Sequence, residues 1–245
     1  MELKVTSGQL LLLGVHLGDS ISKVRSVVYA GILGFRKNIS VMDLEQTVFC
    51  LRRALRYSEY ISKKSGKFLW ITVTPAIAMR RITYFLARRT MQLCYAWPRW
   101  EGGLLSNWKE LVKKRLQYVR VRDVRYRSSI IRRLKRYAAL RYGLTFIRKA
   151  RKKMISTRYR NERVLRYPAS IFLLEDRTTE DSILEINKVG IPVIGFINSS
   201  NKNYSLYDFP ITGNFESILA KKVGASLFAE SVLRGVYEIR VDMYR

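Results

Sequence analysis

One arginine, one lysine, two tryptophans, two glycines and a Ser-Asn pair stand together in Arg99-Trp100-Glu101-Gly102-Gly103-Leu104-Leu105-Ser106-Asn107-Trp108-Lys109. A Gly-Gly turn lets backbone N–H groups approach a phosphate, and a helix opened by Ser106 or Asn107 adds the partial positive charge of its N-terminus. Trp100, beside the glycine turn, reads first as a core residue and second as a platform for a base. Beyond it the cations come in clusters: Lys113, Lys114 and Arg115, then Arg132, Arg133, Lys135 and Arg136, then Arg148, Lys149, Arg151, Lys152 and Lys153. Tyr118, Tyr126, Tyr137, Tyr142 and Tyr159 are interleaved with them, to stack on RNA or to fill a helix seam. This is the chemistry of nucleic-acid binding, by backbone charge rather than by a base code.

Catalytic chemistry leaves a fainter trace. Gly66-Lys67 lacks the upstream glycine and the following Ser/Thr of a phosphate loop. His16, the only histidine, has Asp19 and Ser20 nearby, but a triad is defined by spatial geometry and not by closeness in sequence. A structural imidazole bonded to backbone in the turn Gly14-Val15-His16-Leu17-Gly18 is the expected role. Glu175-Asp176, at the end of an apolar run, could hold Mg²⁺, yet no phosphate-cradling loop accompanies it, so a polar strand end is the simpler reading. No catalytic, metal or cofactor residues are assigned.

The elements that must position these residues follow from periodicity. Ser7–Leu13 reads as a short helix ended by Gly14, and Ile39–Met42 as a short strand before Asp43, an N-cap. Leu44, Val48, Leu51 and Leu55 form the apolar stripe of a helix closed by Lys63-Lys64-Ser65-Gly66. Phe68–Val73 is a buried strand, Pro75 opens a helix to about Thr90, and Gln92–Ala96 is another strand. The alternation resumes with the apolar runs Ile171–Leu174 and Pro192–Ile197, and a helix carrying Ile183 and Ile186 lies between them. Phe215, Ile218, Leu219, Leu227, Phe228 and Val232 mark a C-terminal helix. Continuous apolar runs alternating with helical stripes imply an α/β sandwich with a mostly parallel sheet covered on both faces. Between the two halves, Leu104, Trp108, Val112, Leu116 and Val119, then Ile130, Leu134 and Ala138, trace narrow seams on two or three cationic helices.

Composition gives the same division. The chain has 245 residues, a net charge of +27 and a hydrophobic fraction of 48%, enough for a core and too much for a disordered basic tail. Residues 1–105 carry +10, residues 106–167 carry +19 from 22 basic and 3 acidic side chains, and residues 168–245 carry −2. A solvated helix face normally mixes both signs, so the middle segment reads as a polyanion-binding appendage. Cys50 and Cys94 cannot form a disulfide framework, and one His with two Cys gives no zinc pattern. No apolar run approaches the roughly 18–20 residues of a membrane span, and the N-terminus has neither a signal-peptide nor a transit-peptide pattern.

Several segments, in order and at matching distances, resemble the small-subunit ribosomal protein two family of bacteria and organelles. Gly14-Val15-His16-Leu17-Gly18 is similar to its Gly-Val-His-Phe-Gly signature. Gly34-Phe35-Arg36-Lys37-Asn38 and Asp43-Leu44-Glu45-Gln46-Thr47 resemble its next two elements. Arg99 to Trp108 resembles its Arg-Trp-Leu-Gly-Gly-Met-Leu-Thr-Asn-Trp motif, the most specific of the set. Pro168–Leu174, Glu185-Ile186-Asn187-Lys188-Val189-Gly190-Ile191-Pro192 and Phe209-Pro210-Ile211-Thr212-Gly213-Asn214 match later elements. The chain departs from the family at Asp19, where a second histidine is usual, at Ser22–Arg25, where Trp-Asn-Pro is usual, and at Val73-Thr74-Pro75, where Gly-Thr-Lys is usual.

The resemblance implies a flavodoxin-like three-layer α/β/α sandwich. Residues 1–105 and 168–245 would form its two parts, and residues 106–167 an inserted basic helical hairpin. It implies a non-enzymatic ribosomal protein bound to small-subunit rRNA and to neighbouring small-subunit proteins, with no membrane and no small-molecule substrate. The expected RNA-binding set is Arg36, Lys37, Arg99, Trp100, Gly102, Gly103, Asn107 and Lys109, with the twelve clustered cations named above. The hairpin's unusual basicity, rich in Tyr and Arg, suggests a mitochondrial member rather than a plastid one. The rivals are an enzyme on a flavodoxin-like sheet acting on a phosphorylated or nucleic-acid substrate, and a peripheral membrane protein. The first needs a phosphate loop and a positioned base. The second needs a wide apolar helix face opposite the cations.

Overall fold

The structure, a computed structural model, describes residues 5–100, 102–110, 167–174 and 180–243. Five parallel strands make the main sheet: β4 (Phe68–Val73), β5 (Leu93–Trp97), β6 (Ser170–Leu173), β7 (Val193–Ile197) and β8 (Phe209–Thr212), in spatial order β5-β4-β6-β7-β8. Counted within this sheet the order is 2-1-3-4-5, a doubly wound arrangement. Every residue of β4 and β7 is buried, which is why both read as unbroken apolar runs. The strand order reverses its march across the sheet between β4 and β6, and the chain leaves the sheet after β5 and returns to it at β6.

Helices cover both faces. On one side lie α2 (Leu44–Lys63), α3 (Ile77–Arg89) and α5 (Ile218–Met243). They close a core containing Leu51, Trp70, Phe172, Phe196 and Phe228. Phe172 meets Trp70 edge-on and stacks on Phe228, and Phe196 stacks on Phe215. On the other side, α4 (Glu180–Val189) and Leu104, Leu105 and Trp108 pack on Leu69, Ile71, Ile171 and Val193. Alternate strand residues thus serve two separate cores. The expected three-layer α/β/α sandwich is the observed fold. The inserted hairpin expected over 106–167 lies almost wholly outside the described residues.

The helix boundaries have local causes. Asp43 caps α2 by accepting from the N–H groups of Glu45 and Gln46, as expected. The left-handed residue that ends α2 is Ser65 (φ 58), one place before the glycine expected there. α3 starts at Ile77 and not at Pro75, because the Thr74 hydroxyl accepts from Ala76 N–H and makes a turn first. Gln92 stays outside β5; its side chain instead accepts from Phe68 N–H. In the C-terminal region Phe215 precedes α5, and Ile218 and Leu219 are exposed rather than core.

A second, antiparallel sheet is present, of which the sequence pattern predicts only the middle strand. It comprises β1 (Leu17–Ser20), β2 (Ile32–Arg36) and β3 (Ile39–Met42), ordered β1-β3-β2, after the short α1 (Ser7–Leu12). It docks on the C-terminal end of the main sheet, where Arg25 N–H donates to Ser199 O and Asn214 N–H donates to Val15 O. The close approach expected at the two-glycine turn is found at Gly18, where a Cβ would lie 2.2 Å from the Ser40 hydroxyl oxygen.

Candidate nucleic-acid interface

The expected interface residues fall into two described groups. The first is the tip of the β2–β3 hairpin. Lys37 (φ 46) and Asn38 (φ 67) form its two-residue loop, both left-handed, as the twist of a tight hairpin demands. This loop holds Arg36 and Lys37 exposed at the tip.

The second group is the stretch Arg99–Lys109 after β5. Tyr95, on β5, donates its hydroxyl to Arg99 O at 3.0 Å and meets the Trp100 ring edge-on at 5.4 Å. Gly103 takes φ +85 and turns the chain back toward the sheet, so that Leu105 and Trp108 are fully buried. Tyr167, just before β6, stacks on Trp108 with ring centroids 6.5 Å apart. Arg99, Gly102, Asn107 and Lys109 are left exposed.

The donors of the turn converge on one group, the carboxylate of Glu185 on α4. Leu105 N–H donates to it at 2.8 Å, Ser106 N–H at 3.0 Å and Gly103 N–H at 3.2 Å. The Ser106 hydroxyl adds a bond at 3.1 Å and the Trp100 indole N–H one at 3.0 Å. Partial burial pushes the Glu185 carboxyl up, but the hydrogen bonds from Ser106, Leu105 and Trp100 outweigh it and hold the group below the ordinary carboxylate range. The anion nest expected to receive a phosphate therefore already holds a carboxylate of the chain itself. Trp100 is half-buried with its N–H engaged, in keeping with its core reading.

Lys113, Lys114, Arg115, Arg132, Arg133, Lys135, Arg136, Arg148, Lys149, Arg151, Lys152 and Lys153 lie outside the described residues, as do Glu175 and Asp176. The role of Glu185 could not be read from sequence, because its partners lie some 80 residues earlier in the chain.

The sequence features that hinted at catalysis are differently employed. Asp19 accepts from the Ser199 hydroxyl at 3.3 Å, and Ser20 pairs with the Ser22 hydroxyl at 3.2 Å. The expected bond from the His16 imidazole to backbone is not made at Nδ1, which is buried without a hydrogen-bond partner among the described residues; only the His16 carbonyl bonds, accepting from Met42 N–H at 2.8 Å. Beyond the switch between β4 and β6, a groove of about 930 Å³ opens. It is lined by Pro75, Met79, Arg99, Glu185, Glu216 and Lys221, two cations against two anions, with no excess charge to trap a phosphate. Among the described residues no group of three or more His, Cys, Asp or Glu is placed to hold a metal ion, and no helix is long and apolar enough to cross a membrane.

Residues 10–235 match the family model described as ribosomal protein S2. The chain belongs to the ribosomal protein S2 family. Its relatives include a small ribosomal subunit protein uS2c of Emiliania huxleyi, 28% identical over 234 residues, 94% of this chain and 96% of that one. The small ribosomal subunit proteins uS2 of Bartonella quintana and of Acidiphilium cryptum are 30% and 29% identical, over 94% and 95% of this chain and 86% of each relative. Within this S2-family chain the Trp-Gly-Gly motif is the stretch that Glu185 anchors at the switch point.

Proposed function

We propose that this chain is a structural constituent of the small ribosomal subunit of mitochondria, bound to small-subunit rRNA and to neighbouring small-subunit proteins, with no catalytic activity of its own. The observation that carries this reading is the S2-family match over residues 10–235 of a chain whose net charge is +27. Residues 106–167, at +19, would be the principal RNA arm, and the root at Arg99–Lys109 its mount on the folded body. Arg36 and Lys37 at the hairpin tip would add a separate contact. The Arg- and Tyr-rich insertion favours the mitochondrial reading over the plastid one.

Affinity on this reading is largely counterion release. With about 6–10 phosphates neutralised, log affinity falls with log salt by roughly 0.7–0.9 per contact. The decisive experiment is sedimentation. The protein should travel with isolated mitochondrial small subunits and leave them on RNase treatment. Sedimentation apart from the subunits, or insensitivity to RNase, would overturn the proposal. Replacing Arg132, Arg133, Lys135 and Arg136 by Ala should flatten the salt slope on rRNA, and an unchanged slope would remove the insertion as the binding arm.

A further inference from the structure

Several cations of the helix layer have internal partners, whereas the arginines at the outer face of α3 do not. On α2, Arg52 donates to Val5 O at 3.1 Å, and the Arg53 guanidinium lies 5.3 Å over the Phe209 ring. Lys63 pairs with Glu59 and Glu238, and Lys64 covers the Tyr60 ring. On α5, Arg234 pairs with Glu230. On α3, Arg80 donates to Pro75 O. The remaining arginines of α3, Arg81, Arg88 and Arg89, are exposed and have no hydrogen bond, ion pair or ring contact among the described residues. Nor does α3 contain a carboxylate: Ile77–Arg89 has four arginines and no acid.

Helical geometry gathers these groups. Met79, Thr83, Leu86 and Ala87 are buried against the sheet side. At about 100° per residue, Ile77, Arg81, Phe85 and Arg88 fall on the opposite stripe, and Arg89 flanks it. Phe85 is 61% exposed between the guanidiniums and Ile77 is 59% exposed. Arg81 and Arg88 are about 10 Å apart along the axis, at 1.5 Å per residue. A buried core does not explain Phe85, and a solvated face does not explain three unpaired arginines around it.

Resting on the reading as an rRNA-binding protein, we infer that the outward stripe of α3 is a further RNA-contact surface, besides the insertion and the β2–β3 tip, with Arg81, Arg88 and Arg89 on phosphates and Phe85 on a base. A run of phosphates satisfies several guanidiniums at once, and a base offers its face to an exposed ring. A protein partner would have to supply three carboxylates and an apolar socket between them. α3 packs on the face of the sheet opposite Leu104, Leu105 and Trp108, the root of the insertion. The folded body would then be held between two RNA segments.

The test uses the full chain. Arg81→Ala, Arg88→Ala and Arg89→Ala together should flatten the log-log salt slope on transcribed small-subunit rRNA by about 2, at roughly 0.7–0.9 per lost contact. The loss should add to that of the Arg132/Arg133/Lys135/Arg136 variant, because the sites share no partner. A photocrosslinking residue in the change Phe85→p-benzoylphenylalanine, placed in assembled subunits, should capture RNA. An unchanged slope, or a crosslink to protein or to nothing, overturns the inference. If the insertion variant flattens the slope and the α3 variant does not, this inference alone fails. If neither does, the rRNA-binding reading fails with it.

Discussion

The Glu185 carboxylate accepts five hydrogen bonds from the Trp100–Ser106 turn, four of them from N–H groups. Glu185→Ala leaves those donors to water or to nothing. It should cost on the order of 1.5–3 kcal/mol, the range for hydrogen bonds to a charged group, read as a lower unfolding midpoint and a changed Trp emission. Because the native carboxyl lies below its ordinary 4.5, its contribution is present above that value and is lost as pH falls through the native one. The gap between wild type and Glu185→Gln should therefore shrink as pH is lowered from 7 toward 3. Cys94, whose thiol burial pushes up to about 12, should stay unmodified by alkylating reagents until the chain unfolds. At this scale the sequence showed which residues could bind an anion but not which anion they meet. A Gly-Gly turn advertises its N–H groups locally, whereas a carboxylate 80 residues away carries no local sign of its aim.

The α2–α5 crossing shows what element packing demands. Ser58 and Ser231 share a hydroxyl contact at 3.0 Å, and a Cβ on Gly235 would sit 2.5 Å from Glu59 O and 2.6 Å from Ser62 Cβ. Gly235→Val should push the helices apart and cost about 1–3 kcal/mol in thermal unfolding, with Gly235→Ala between it and wild type. The buried strands β4 and β7 and the stripe of α2 were legible because both faces of a central strand, and one face of a helix, leave a periodic apolar record. β8 was not, since Pro210 interrupts it; β8 is the edge of the sheet, where a missing N–H is tolerated. β1 and β2 leave no clear pattern in the sequence for a related reason. Gly18 and Gly34 break the alternation, and a bulge between Ile32 and Gly34 shifts the register. The start of α3 falls after Pro75 because the local Thr74 side-chain turn competes with helix nucleation, and such a turn leaves no periodic signature.

Across the whole molecule, charge and topology are complementary. The flanking segments, at +10 and −2, supply all five strands of the main sheet, and the +19 segment lies between β5 and β6 in the sequence. Self-repulsion on this scale weakens the free protein, and rRNA should raise its unfolding midpoint, by an increment that shrinks between 50 and 200 mM salt. A midpoint indifferent to rRNA would contradict that balance. The carboxylate nest also has a temporal meaning. Leu105 leaves the synthesising machinery 80 residues before Glu185 does. At roughly 5–20 residues per second that interval is about 4–16 s. Within it the most cationic quarter of the chain, residues 106–167, emerges while Glu185 is still unavailable to the turn. Anything that accompanies the nascent protein meets a bare polycation first and a finished fold only afterwards.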